Sequence, residues 1–176
     1  LGSMNDVNNK LIEIGYLWLE DFRHSFGSGC PLIDLEMAMV MIAQNDPHLW
    51  HLMFLHEDPS SQAIQFPNWM RLTDTIAAEI DNDQDSLAER AADLKTIGYS
   101  IYGACAAVTL GSFFYHRSVP KEPLVFFLDF FTTLNRKNLG WYKCEPVLPS
   151  SPQKIYSSTI KKIIKNYPAG TGKLGE

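Results

Sequence analysis

Apolar residues recur every three to four positions along most of this chain, the spacing that lines one face of an α-helix. From Asp6 to Phe26, Val7, Leu11, Ile14, Trp18 and Phe22 fall along one side, and Lys10, Glu13, Glu20 and His24 fall on another. Gly27-Ser28-Gly29 ends that helix, and Pro31 prevents its continuation. Leu32 to Gln44 forms a second, methionine-rich helical stretch. Asp46-Pro47 supplies a cap followed by proline at the first helical position, which predicts a short third helix through His56. Asp58-Pro59-Ser60-Ser61 reads as a loop, and Pro67 as the start of a fourth helix through Trp69, Leu72, Ile76 and Ile80.

Ser86-Leu87-Ala88-Glu89 fits a capping box, in which hydroxyl and carboxylate satisfy each other's backbone donors, and predicts a helix to about His116. Pro120 and Pro123 bracket the start of a sixth helix, Leu124 to Asn135. Leu139 to Pro152 carries Pro146, Pro149 and Pro152 and no period, so it reads as an extended connector. A final short helix, about Ile155 to Lys165, sets Ile160, Ile163 and Ile164 against Lys161, Lys162 and Lys165. No alternating run bounded by hairpin turns appears, and no internal repeat. The expectation is an all-α bundle of six or seven helices. Residues 1–4 read as a tag remnant plus initiator methionine, 5–138 as the bundle, and 139–176 as the connector and basic C-terminal helix docked on it.

Ile97 to Tyr115 is free of charge, close to the length that crosses a bilayer. Gly98, Gly103 and Gly111, with Ser100, Ser112 and Thr109, dilute it, and mean hydropathy of the whole chain is −0.12. The stretch is therefore expected as a central helix buried on most sides, with Gly103, Ala107 and Gly111 letting a neighbour approach.

Composition is that of a globular domain, 45% apolar and 20% charged. Charge is unevenly placed: residues 1–116 carry a formal balance of −11 and residues 117–176 one of +6. This favours internal pairing of the basic tail with the acidic bundle, and it disfavours nucleic acid as a partner. Cys30, Cys105 and Cys144 are odd in number and lack metal or redox spacing, which with no secretory signal suggests a reducing, cytoplasmic setting.

Few positions invite chemistry. Asp81, Asp83 and Asp85 copy the opening of a calcium loop, but its sixth and twelfth positions hold Ser86 and Ala92 instead of the glycine and bidentate glutamate it needs. His48 and His51 share a helix face without a third ligand nearby in sequence, since His56 points elsewhere. Cys30 sits before a helix start, where backbone amides favour thiolate, but a base would have to come from another segment. Gly170-Thr171-Gly172-Lys173 fails as a phosphate loop, because Tyr167 and Leu174 occupy its glycine and hydroxyl positions. Asp129 belongs to a polar stripe with Thr132, Thr133 and Arg136.

No cofactor is implied. The reading is a non-enzymatic protein-binding module of adaptor, secretion-chaperone, immunity-protein or bacterial-effector type. Phe126, Phe130, Lys161, Lys162 and Lys165 are its candidate partner-binding residues. The competing class is a thiol- or metal-dependent enzyme built on Cys30 or on His48 and His51.

Overall fold

Proline at the first helical position opens four of the six helices among the described residues: α2 (Pro31–Asn45), α3 (Pro47–Phe54), α4 (Pro59–Glu79) and α6 (Pro123–Asn138). The other two are α1 (Met4–Phe26) and α5 (Leu87–Tyr115). The computed structural model describes residues 4–80, 87–115, 123–140 and 142–150, with the single positions Lys154, Ser158, Lys161 and Lys165. The described residues contain no strand, and the fold is the all-α bundle that the periodicity predicts. No helix among them is long and apolar enough to cross a membrane.

The caps follow elementary chemistry. Asp46 accepts a hydrogen bond from the Leu49 amide at 3.0 Å, closing the first turn of α3. Asp58 does the same for α4, accepting from Ser60 and Ser61. That helix therefore begins eight residues before Pro67, which lies inside it, and the loop expected over Asp58–Ser61 is in fact a cap and a first turn. Between α1 and α2 the chain turns through Gly27 and Gly29, with φ of 66° and 85°, a region costly for any residue bearing a Cβ.

Packing departs from expectation in two places. The central helix is α2, not α5: every residue from Leu32 to Ala43 is buried, and α2 touches each of the other five helices. In α5, Ile97, Ile101, Ala104 and Val108 face the core, while Tyr99, Tyr102 and Leu110 face outward. Glycine there gives ordinary contacts, Gly103 lying 3.8 Å from Leu134 by its would-be Cβ. Close approach occurs instead at Gly15 of α1, where a Cβ would overlap Met53 Sδ and lie 2.8 Å from Met53 Cγ on α3. The buried face of α1 is turned by about one residue from the expected one. Ile12, Tyr16, Leu19, Phe22 and Phe26 point inward, and Val7 and Leu11 are exposed.

Three charged residues among those described, Arg23, Asp34 and Glu36, are buried in this scaffold. Arg23 is buried and reaches both oxygens of Glu79, at 2.5 and 2.8 Å, and Glu20 at 2.9 Å. This fork ties α1 to the end of α4.

Candidate partner-binding cleft

Tyr16 of α1 and Met53 of α3 form the floor of a cleft of about 450 Å³, bounded by Phe54, Gln62, Gln65, Phe66, Trp69, Tyr102 and Cys105. Phe54 is the hinge of its aromatic wall. Its ring meets Tyr16 edge-on at 5.8 Å and Trp69 edge-on at 5.9 Å, and packs on Trp50 at 4.2 Å. Trp50 is anchored in turn by donating its indole N–H to the Thr109 hydroxyl at 3.2 Å. Gln65 donates its amide to the carbonyls of Leu52 (3.0 Å) and His56 (3.3 Å), so it closes the C-terminal end of α3 against α4.

Phe66, Trp69 and Tyr102 also line a second cleft of about 570 Å³, which runs on between α4 and α5 past Met70, Thr73, Asp74, Leu94, Lys95, Gly98 and Tyr99. The two make one continuous groove. Its rim is apolar and open: Phe66 is 67% exposed, Tyr99 63%, Tyr102 68% and Met70 45%. Lys95 Nζ sits 5.8 Å from the centre of the Tyr99 ring, a cation–π distance.

Two groups on the groove lining, Tyr16 and Cys105, are pushed toward their neutral forms by burial. Burial pushes the Tyr16 hydroxyl well above its usual range. Burial likewise pushes the Cys105 thiol up to about 12, against a hydrogen bond from Thr109. Such a thiol is a poor nucleophile at neutral pH.

The residues singled out from the sequence do not converge. Cys30 is fully buried at the head of α2 and is bonded to Cys144 across 114 residues. A bonded sulfur has no thiolate, so the nucleophile reading of Cys30 has no support in this state. The reducing setting inferred from unpaired cysteines loses its basis as well. His48 and His51 are exposed on α3, and no three potential ligands cluster anywhere among the described residues. Asp81, Asp83 and Asp85 lie outside the described residues, as does Lys162; Lys161 and Lys165 are exposed on helical backbone. Phe126 and Phe130 are 53% and 39% exposed and stack nearly parallel, with centroids 6.3 Å apart. They form an aromatic patch on α6, while Phe127 and Phe131 turn into the core.

Sequence reasoning missed the groove because Phe66 fell before the expected start of α4, and Tyr99 and Tyr102 fell in a helix expected to be buried. A signal was present. Phe66, Trp69, Met70 and Thr73 already follow helical spacing across Pro67. Comparison with known proteins returned no match to any family model, curated protein or solved structure, so function rests on the chain's own surfaces.

Proposed function

We propose that this chain is a non-enzymatic protein-binding module, and that the groove between α4 and α5 receives an apolar helix of another protein. The observation that carries the reading is the open row of Phe66, Met70, Tyr99 and Tyr102, which are large apolar side chains grouped on one surface. Such a patch costs solubility unless a partner covers it. Laying an amphipathic helix into a groove between two helices is a recurrent way of covering one. The formal balance of −11 over residues 1–116 favours a partner with basic residues flanking its apolar face. Adaptors, secretion chaperones, immunity proteins and effectors all work through such surfaces. The neutral Tyr16 and Cys105 and the bonded Cys30 speak against the enzymatic alternative.

The stacked pair Phe126 and Phe130 gives a second surface, on α6. One experiment separates the two. The intact chain, a Phe66→Asp/Tyr102→Asp variant and a Phe126→Asp/Phe130→Asp variant are each used as bait in native-cell extract, with mass spectrometry of what is retained. A stoichiometric protein retained by the intact chain and by the α6 variant, but lost from the groove variant, is expected. Loss from the α6 variant alone moves the site to that helix, and retention by both variants removes the groove from consideration.

A further inference from the structure

We infer that the Cys30–Cys144 disulfide is a redox-operated latch that holds the connector over residues 142–150 onto the corner between α1 and α2. Among the described residues several contacts fasten this segment, Leu148 packed against the core and the Arg136–Glu145 ion pair at 3.8 Å among them. The disulfide joins it to the head of α2. The Val147 amide donates to the Ser28 carbonyl at 3.1 Å. Tyr142 is buried against the backbone of Leu32, close enough to Glu36 and Asp34 for their carboxyls to push its hydroxyl up along with burial. Only the disulfide is covalent, and the other fastenings are of the strength that local opening breaks.

The two sulfurs differ in a way that sets the direction of attack. Cys30 is fully buried, whereas Cys144 is half-buried on the extended connector. A dithiol reductant therefore meets the Cys144 sulfur first. Its thiolate bonds to that sulfur, and Cys30 leaves as a thiolate at the amino end of α2, where main-chain N–H groups and the helix dipole stabilise it before it takes a proton. The second thiol of the reductant then displaces Cys144, which also takes a proton. Two electrons and two protons pass to the cysteine pair, and the reductant becomes a cyclic disulfide. The connector then keeps only its noncovalent contacts, and their opening releases residues 142–150 from the corner between α1 and α2. The latch shares no residue with the groove between α4 and α5.

Hydrogen exchange read by mass spectrometry on the full chain tests this in three states: oxidised, reduced with dithiothreitol, and Cys144→Ser. Reduction should speed exchange over 139–150 about tenfold while α1 and α4 keep their protection. Cys144→Ser should show the same pattern, with no further change on adding reductant. Alkylation of both Cys30 and Cys144 in air-oxidised, unreduced protein overturns the inference, because the bond then does not form. Equal connector exchange in oxidised and reduced protein overturns it too, as the remaining contacts would suffice. Loss of protection throughout α1 and α4 on reduction shows a structural staple in place of a latch.

Discussion

Glu36 and Asn135 meet in the interior of the bundle, where the Asn135 amide donates to Glu36 Oε2 at 2.7 Å. Neither residue is more than 1% exposed, and Glu36 Oε1 and Asn135 Oδ1 have no other hydrogen-bond partner among the described residues. Burial pushes the Glu36 carboxyl well above its usual range, with the Asn135 bond opposing. A neutral carboxyl suits this setting, since a carboxylate here would be a buried charge held by a single hydrogen bond.

Glu36 therefore makes stability fall as pH rises. Below the ordinary carboxyl range, folded and unfolded chains both hold the proton. Above it the unfolded chain releases the proton while the folded chain keeps it, until pH passes the raised folded value. The Glu36 contribution declines across that window by about 1.4 kcal/mol per pH unit. Urea midpoints from pH 4 to 9 should fall more steeply for the intact chain than for Glu36→Gln, and parallel profiles would mean that Glu36 titrates normally.

Arg23 and Glu79 respond unequally to substitution. Arg23 is enclosed and serves Glu20 and Glu79 together, so Arg23→Ala should cost about 3 kcal/mol by stranding both carboxylates. Glu79 is one-third exposed and its loss is softened by solvent, so Glu79→Gln should cost about 1 kcal/mol. Hydrogen bonding to Arg23 holds the Glu79 carboxyl below its usual range. Its share of stability is present above that range and disappears as pH falls through the folded value. Chemical denaturation checks the ranking, and Arg23→Lys should not restore the intact value because a lysine cannot make the fork.

Gly15→Ala should destabilise by about 1–2 kcal/mol in spite of alanine's better helix propensity, because Met53 is fully buried and must be displaced. In a Met53→Ala background the same substitution should cost less or become neutral. Additive losses in the double variant would place the strain somewhere other than this contact.

Phe66→Ser and Tyr102→Ser should each leave the thermal midpoint nearly unchanged, within about 0.5 kcal/mol, because both side chains face water. Trp69→Ala, which removes a packed wall of the groove, should cost about 2–3 kcal/mol. A large loss from Phe66→Ser would make that ring part of the core and weaken the case for a docking surface.

Local chemistry was the legible part of this sequence. Asp46-Pro47 announces α3 by cap and proline alone. The same pair at Asp58-Pro59 passes for a loop because Ser60 and Ser61 follow it and Pro67 offers a later start. Burial was harder to read, since it depends on neighbours rather than on a residue's own character. Asp34 and Glu36 carry carboxyl groups into the buried α2, and their cost is met by Ser28 and Asn135, which are 6 and 99 residues away. The charge-free run in α5 looks like a core, yet Tyr99 and Tyr102 within it face outward. The Cys30–Cys144 bond spans 114 residues, and spacing alone cannot show that.

The enclosure of α2 has a consequence for synthesis on the ribosome. This helix, residues 31–45, is made early, but two of the elements that cover it, α6 and the connector at Tyr142, emerge about 100 residues later. At ordinary translation speeds that gap lasts about 5–20 s. For that interval α2 has only α1 and the newly made α3, α4 and α5 to shelter it. A chaperone working on this chain therefore has its task set between the emergence of Ala43 and that of Phe131.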